Sequence, residues 1–263
     1  MDMDQGHKTT IMPLAEEVPV SLTFNGVASA VMMMTPHDIE DFVVGFSLTE
    51  GIVDQASDVS SVEVREIFTE ENMGGLLAGT QIPEACFERL SGRRRNLPGQ
   101  TSCGICGVIE LEAAIPQLPR LEAPAMVTAS LISSAREDLR NHQPLNDITG
   151  ALHAAAFVDE TGIVLVREDV GRHNALDKLI GAMARKGLDP AAGFYLLSSR
   201  CSVELVQKTV LAGCPALVTI SAATTLAADR ARKSGLTLIS SVRKGDFAVI
   251  SDPQNVITNS GEA

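Results

Sequence analysis

An α/β fold with a largely parallel sheet is predicted, because strand patterns and helix patterns alternate through the second half of the chain. Apolar runs of strand length, GIVLVRED (162–169), GFYLLSS (193–199) and ALVTIS (216–221), are each followed by a segment with apolar residues at helical spacing. A sheet built in this way carries helices on both faces. The 263 residues, 45% of them hydrophobic, are enough to bury a substantial core.

The first half of the chain predicts a smaller α+β unit. Apolar and polar residues alternate on both sides of Asn25-Gly26, a dipeptide that favours a hairpin turn. Thr35-Pro36 predicts the start of a helix that Gly51 should end. VSSVEVREIF predicts a further strand at 59–68, whereas residues 69–107 lack a clear period and predict a long loop.

We therefore expect two domains. The first is a small α+β domain over residues 14–120 that ends in the flexible loop, and the second is a larger α/β domain over residues 121–263. No internal repeat is evident in either part.

Composition narrows the classes of partner and the location. A net charge of −12 disfavours nucleic acid as a partner, and a single Tyr with no Trp disfavours a surface that stacks bases. No apolar run is long enough to cross a membrane, so we expect no membrane partner. The acidic, polar N-terminus lacks the features of a signal peptide, which predicts a cytoplasmic location in which the five cysteines stay reduced.

Two cysteines in the stretch TSCGICG, Cys103 and Cys106, are the candidate chemical groups of the predicted loop. A structural zinc site needs four ligands, and the other cysteines are isolated in the sequence. A zinc deaminase needs a His-x-Glu motif before its cysteines, but the nearest match, LHAAA, follows them and has Ala155 in place of the glutamate. We therefore predict no metal.

A nucleophilic thiolate on a flexible arm fits the motif better than a redox pair. A thioredoxin-like pair should open a helix directly after a strand, whereas RRRNLPGQTS leads into Cys103 as a loop. Gly104 and Gly107 let the backbone bend so that the sulfur protrudes, and the neighbouring arginines favour its thiolate form. Such a thiolate could accept sulfur from one protein and deliver it into a pocket. We interpret Cys201 and Cys214 as small core residues and leave Cys86 unassigned.

Three polar stretches, 167–174, 198–202 and 221–225, fall at the predicted carboxyl ends of strands, where α/β sheets bind ligands. We expect them to line one crevice suited to phosphate or sugar. The candidate ligands are Arg200 as a phosphate fork, Asp169 and Arg172 as bridges to ribose and phosphate or as a mutual ion pair, His173 as a phosphate donor, proton shuttle or cap, and Ser221 and Thr224 as hydroxyl donors or N-caps. His153 is expected to be structural.

Several long motifs carry a family resemblance. TSCGICG, EDVGRHNALDKLIG, SRCSVELVQK, ISAATTLAADRARKSGLTLI and the N-terminal NGVASAVMMMTPHDIEDFVVGFSLTEGIV resemble the formate dehydrogenase accessory sulfurtransferase family, FdhD, over residues 17–250. The resemblance implies a cytidine-deaminase-like three-layer α/β domain with a smaller N-terminal α+β domain. Homodimers are common in the family.

The resemblance also implies an activity. Family members accept persulfide sulfur from a cysteine desulfurase and transfer it to the molybdenum or tungsten of a bis-molybdopterin guanine dinucleotide cofactor, which the catalytic subunit of formate dehydrogenase requires. The cofactor is therefore a substrate, and GDP-like nucleotides should mimic part of it. A non-catalytic cofactor chaperone and a nucleotide hydrolase or deaminase are the alternatives.

Carried over by position, the family motif makes Cys103 the persulfide carrier and Cys106 an assisting or resolving thiol. The family's cofactor-binding segment falls on Ser241, Val242, Arg243, Lys244, Gly245 and Asp246. Three departures affect the nucleotide contacts. Ser240-Ser241 replaces a usual Gly-Phe, Ser199 a usual glycine, and Ala223 a usual proline.

Overall fold

The computed structural model describes residues 13–68, 74–94, 116–124 and 126–257. Cys103 and Cys106 lie outside the described residues, so their predicted roles are not tested by the structure. No helix among the described residues is long and apolar enough to cross a membrane.

The N-terminal part contains a four-stranded sheet with the order β2-β1-β4-β3. Its strands are β1 Val18–Phe24, β2 Val27–Met34, β3 Val62–Phe68 and β4 Gly74–Thr80. β1 runs parallel to β4, and the β1–β2 and β3–β4 pairs are antiparallel. One face of the sheet packs against α1 (Ile39–Thr49) and α2 (Glu84–Arg94) around the buried side chains of Phe24, Phe42 and Cys86.

The predicted hairpin is confirmed, because Asn25 and Gly26 both have positive φ, 50° and 77°, and join β1 to β2. The predicted helix is confirmed with a later start. It begins at Ile39 rather than at Pro36, and Gly51 follows its end with φ 61°. Thr35 does not cap it, because the Thr35 hydroxyl instead accepts a hydrogen bond from the Val170 amide at 3.2 Å.

The prediction of a loop over residues 69–107 is wrong for two segments, because β4 and α2 lie inside it. β4 is the glycine-rich GGLLAGT, a poor strand by propensity, yet it lies between β1 and β3 and pairs with both. A Cβ atom on Gly75 would lie 2.9 Å from the carbonyl oxygen of Pro19, so the close approach of β1 requires glycine there. Tertiary pairing overrides local propensity in this segment.

The C-terminal part contains a six-stranded sheet with the order β10-β9-β8-β7-β5-β6. Its strands are β5 His153–Asp159, β6 Gly162–Asp169, β7 Phe194–Leu197, β8 Ala216–Thr219, β9 Thr237–Arg243 and β10 Asp246–Ser251. Only β7, β8 and β9 are mutually parallel, so the prediction of a largely parallel sheet needs correction. β5–β6 and β9–β10 are joined by tight turns and β5 runs opposite to β7, which makes these pairs antiparallel.

Helices cover both faces of this sheet, as predicted, and give three layers. They are α3 Ala129–Asp138, α4 Pro144–Thr149, α5 Arg172–Lys186, α6 Val203–Leu211 and α7 Thr225–Ser234. One face buries Leu176 of α5 and Leu205 of α6, and the other buries Ile132 of α3.

Helices α1 and α5 connect the two parts through a close crossing. A Cβ on Gly45 would lie 1.8 Å from the carbonyl oxygen of Asp177, and one on Gly181 would lie 1.8 Å from that of Asp41. Two glycines therefore let the helix backbones meet directly. The proposed domain limits of 14–120 and 121–263 stay a prediction.

Candidate functional site

The three predicted polar stretches meet at one edge of the six-stranded sheet, as the sequence analysis expected. The Ser221 amide donates to the Ser199 carbonyl at 3.4 Å, and the Cys201 amide donates to the Ala222 carbonyl at 3.1 Å. The His173 ring reaches the Ser202 hydroxyl at 3.3 Å. The N-termini of α5, α6 and α7 also lie at this edge, and helix N-termini favour a bound anion. We call this edge the crevice.

Asp169 ends β6 with a fully buried carboxylate whose oxygens accept four hydrogen bonds or ion-pair contacts. One oxygen accepts from the Thr35 amide at 3.1 Å and from Lys178 Nζ at 2.6 Å. The other accepts from the Gly171 amide at 2.7 Å and from Asn174 Nδ2 at 3.0 Å. The geometry therefore gives Asp169 a positioning role. It does not support the expected contact with ribose, and the partner of Asp169 is Lys178 rather than Arg172.

His173 lies in the first turn of α5 and connects it to the start of α6. Its Nε2 atom is 3.3 Å from Ser202 Oγ and 3.9 Å from Glu204 Oε2. Burial, with the nearby Arg172 charge, lowers the pKa of His173 to about 4, although Glu204 acts in the opposite direction. The imidazole is therefore neutral at neutral pH and can exchange hydrogen bonds with Ser202 or a ligand.

The lowered pKa of His173 predicts that the protein becomes less stable as the pH is lowered. Between the folded pKa of about 4 and the ordinary value of 6.5, the unfolded chain binds more protons than the folded chain, so stability decreases as the pH falls through this window. When the pH is lowered from 7 to 5, the unfolding free energy of wild-type protein should fall by about 2 kcal/mol more than that of a His173→Gln variant. Urea unfolding of both proteins at both pH values measures the difference.

Other titrating groups are present in both proteins, so their contributions cancel when wild type and variant are compared. Burial raises the pKa of Asp177 to about 6, which changes stability in the opposite direction, and burial lowers the pKa of His153, which acts in the same direction as His173. Equal losses in wild type and variant would show that folding does not lower the pKa of His173.

Arg172 and Arg200 give the crevice positive charge beside His153. Burial lowers the pKa of His153, with the charges of Arg172 and Arg200 contributing in the same direction, which places both guanidinium groups near this ring. Arg172 Nε is buried and has no hydrogen-bond partner among the described residues. An unpaired buried donor beside two helix N-termini is a feature that an anionic ligand would satisfy. The exposed Arg200 remains available as the predicted phosphate fork.

The remaining predicted ligands have mixed placements. Thr224 caps α7, because its hydroxyl accepts from the Ala227 amide at 3.2 Å, which supports the N-cap alternative. The Ser221 carbonyl accepts from the Ser241 amide at 3.2 Å and from Ser240 Oγ at 2.8 Å, so the start of the predicted segment 241–246 lies beside the crevice. The rest of that segment forms the β9–β10 hairpin, with exposed Arg243 and Lys244 at its turn.

The sequence matches the FdhD/NarQ family over residues 15–257, nearly the whole chain. The chain belongs to the FdhD/NarQ family. Proteins named sulfur carrier protein FdhD are similar to it. The one from Bordetella petrii is 45% identical over 244 residues, which cover 92% of this chain and 86% of that protein. The one from Xanthomonas euvesicatoria pv. vesicatoria is 46% identical over 253 residues, covering 95% and 88%.

The fold is also similar to a solved structure. A crystal structure of a candidate formate dehydrogenase accessory protein from Desulfotalea psychrophila matches with a TM-score of 0.68 and 20% identity, covering 92% of this chain and 89% of that one. The expected resemblance to the FdhD family is thereby confirmed in sequence and in overall fold.

The three residues that the sequence analysis expects to differ from the FdhD pattern, Ser199, Ala223 and Ser241, each have a describable local setting. Ser241 has φ 57°, a left-handed conformation that is uncommon for serine. The buried Ser199 donates its hydroxyl to the Arg200 carbonyl at 3.0 Å, and Ala223 forms an isolated bridge with Cys201. All three lie at the crevice edge.

The sequence analysis missed a buried polar network that fixes α1 against α5 and α6. Lys208 contacts Asp177 and Glu50, each at 2.9 Å, and donates to the Thr49 hydroxyl at 2.9 Å. Burial opposes the Lys208 charge, yet Asp177 and Glu50 raise the pKa of this lysine, so it stays protonated. The one available signal was Asp177-Lys178 within the otherwise apolar helical stretch NALDKLIG.

The described cysteines are structural. Cys201 and Cys214 are completely buried, and burial raises the pKa of each thiol to about 12, which confirms that they are core residues. Cys86 is buried in the N-terminal core and lies near Asp54 and Asp58 in an arrangement that could hold a cation. The Arg89 guanidinium, however, lies 3.0 Å from Asp54 and 3.4 Å from Cys86 Sγ and already supplies positive charge there.

Proposed function

We propose that this chain is a sulfurtransferase that accepts persulfide sulfur from a cysteine desulfurase on Cys103. It then transfers the sulfur to the molybdenum or tungsten of bis-molybdopterin guanine dinucleotide, as required by formate dehydrogenase. It works in the cytoplasm as a homodimer, and its larger domain has the cytidine-deaminase-like arrangement. Support for the class comes from the family match and from relatives that carry the name sulfur carrier protein FdhD.

The observation that carries the proposal is the crevice itself. The N-termini of three helices, the unpaired Arg172 Nε and the exposed Arg200 converge at one sheet edge. Phosphate groups of a dinucleotide are the anions that such donors bind well. The Ser240-Ser241 backbone lies beside the same edge, next to the segment that the resemblance assigns to the cofactor.

The chemistry needs one nucleophile and no resident metal. The Cys103 thiolate attacks the terminal sulfur of the donor's persulfide, so that a new S–S bond forms as the donor's own S–S bond breaks and the donor thiolate leaves. Delivery cleaves the new bond. Cys103 leaves as a thiolate, and the outer sulfur, which is at the oxidation level of elemental sulfur, becomes sulfide by taking two electrons from the reduced metal of the cofactor substrate. Cys106, three residues away, assists or resolves the persulfide.

Mass spectrometry tests this role. The protein is incubated with a cysteine desulfurase and either unlabelled or ³⁴S-labelled cysteine. We expect one labelled sulfur atom on the peptide that contains Cys103, removable by a thiol reductant. Cys106→Ala is the matched variant and should still accept the label. A chain that binds the cofactor but never acquires the label would be the non-catalytic chaperone, and the proposal would be wrong.

Nucleotide binding supplies a second, independent measurement. GDP at about ten times its Kd should raise the melting temperature by roughly 2–4 °C, because a ligand at that concentration stabilises the folded state by about 1.4 kcal/mol. Arg172→Ala should abolish the shift. Arg232→Ala, which removes an exposed arginine that pairs with Asp229 at the far end of α7, should retain it. Equal shifts in both variants would exclude Arg172 from the site.

A further inference from the structure

A groove of about 780 Å³ is lined mainly by residues of the N-terminal part, together with Arg185 of α5. One wall is formed by β3 and β4 and the other by the start of α1. Two glycines, Gly74 and Gly75, form part of the wall. Phe68 lines the β3 side and has 65% of its surface exposed.

The groove is acidic. Its lining contains five carboxylates and two arginines, namely Glu16, Asp38, Glu40, Asp41, Glu66, Arg65 and Arg185. Three of the carboxylates already have cationic partners. Arg185 contacts Asp41 at 2.5 Å and Glu40 at 2.6 Å, and Arg167 contacts Asp41 at 2.7 Å and Asp38 at 3.5 Å. Arg65 pairs with Glu63 on the same strand. Glu66 is the carboxylate that β3 contributes to the lining of the groove, and it makes no ion pair with another described residue.

β3 is an edge strand with an open side. It pairs with β4 and with no other strand among residues 13–68, 74–94, 116–124 and 126–257. Six of its seven residues are exposed, including Val64 at 40% and Phe68 at 65%. A long edge strand with exposed apolar residues is the feature to which an extended peptide adds by backbone pairing.

The groove side of β3 has a symmetric pattern. Side chains alternate between the faces of a strand, so Val64, Glu66 and Phe68 share the face towards the groove. Residues directly opposite each other on paired strands interact most strongly. A strand added to β3 would therefore place apolar side chains opposite Val64 and Phe68 and a cation opposite Glu66, and this order is the same for a parallel and an antiparallel partner.

A second copy of the chain does not satisfy this pattern. Two antiparallel β3 strands related by a two-fold axis at Glu66 would pair Val64 with Phe68 but would bring the two Glu66 carboxylates together. An axis at Arg65 would bring the two Arg65 side chains together. Like charges directly opposite each other destabilise a strand pair. The Glu66 carboxylate, which has no ion pair with another described residue, favours a different, basic partner.

We propose that β3 is a docking strand for an extended segment of a partner protein, which adds to the sheet with the pattern apolar–x–Lys/Arg–x–apolar facing the groove. The inference concerns a surface outside the crevice and does not depend on the sulfur-transfer chemistry. Backbone pairing supplies the binding, and the contact between the central cation and Glu66 supplies the specificity.

Fluorescence anisotropy with two labelled synthetic peptides tests the proposal on the full chain. The first peptide has the sequence Thr-Val-Thr-Lys-Thr-Tyr-Thr, and the second has glutamate in place of lysine. Wild-type protein should bind the lysine peptide about fivefold more tightly than the glutamate peptide, which corresponds to about 1 kcal/mol for one cross-strand charge pair. Glu66→Lys should reverse the preference.

Glu63→Lys is the matched control, because it makes the same charge change on the same strand at an exposed residue that does not line the groove. It should keep the wild-type preference, and at equal peptide concentration hydrogen exchange should show more protection along β3 with the lysine peptide than with the glutamate peptide. Equal effects of the two substitutions would reduce the binding to general charge attraction and overturn the proposal. Failure of the lysine peptide to bind wild-type protein, as expected if another part of this chain occupies the edge, would overturn it as well.

Discussion

Replacing Cys103 by serine is expected to reduce the activation of formate dehydrogenase by roughly a hundredfold or more, because removal of a covalent nucleophile eliminates the reaction path itself. A serine hydroxyl has nearly the same size but cannot form a persulfide. The measurement is formate dehydrogenase activity in cells that lack the endogenous gene and carry either wild type or the variant. The melting temperature of the purified variant should equal that of wild type.

Cys86→Ala is the control for a general effect of cysteine loss. Cys86 is buried in the N-terminal core and lies 3.4 Å from an Arg89 nitrogen, so its loss should lower stability while the folded fraction retains activity. Cys201 and Cys214 are unsuitable as alternative sulfur carriers, since burial raises the pKa of both thiols to about 12. A Cys103→Ser variant that still supports the enzyme would overturn the assigned role.

The location of the crevice could be predicted from the sequence because it depends on local patterns. Short apolar strands followed by polar residues, as at Ser198 and Ser221, indicate where strands end, and parallel strands end at the same edge. The structure brings these stretches together through backbone hydrogen bonds. The antiparallel pairing of β5 with β7 could not be predicted in this way, since it depends on which strands become neighbours in space.

The roles of individual polar residues were harder to predict, because burial decides them. Asp169 and Arg172 are three residues apart and both are polar. The Asp169 carboxylate is nevertheless fully paired inside the fold, whereas Arg172 Nε has no partner among the described residues. A sequence motif shows that both residue types are present. It does not show that Thr35, 134 residues earlier, supplies an amide to Asp169.

Asp169→Ala is expected to destabilise the fold by about 3–5 kcal/mol, the usual cost of removing one partner of a buried ion pair. Lys178 is fully buried, and it would keep only its hydrogen bond to the Thr35 carbonyl at 2.9 Å. The Thr35 and Gly171 amides and Asn174 Nδ2 would also lose their acceptor. Urea unfolding at pH 7 measures the loss.

Asp169→Asn should be nearly as damaging, because every group around this side chain is a donor and an amide NH₂ would face one of them. Asp229→Asn is the matched control, since Asp229 pairs with Arg232 on the exposed surface of α7 and should change stability by less than about 1 kcal/mol.

A double variant decides whether the unpaired Lys178 charge or the loss of an acceptor for the surrounding amides causes most of the destabilisation. Asp169→Ala leaves the Lys178 ammonium buried without its carboxylate, whereas Asp169→Ala combined with Lys178→Met removes both charges. If the uncompensated charge is the main cost, the double variant should be more stable than Asp169→Ala alone, by about 1–3 kcal/mol. A double variant that is less stable by the sum of both single losses would show that the amides of Thr35 and Gly171, rather than Lys178, are the partners that matter. In that case the buried ion pair would add little to the connection between the N-terminal part and the start of α5.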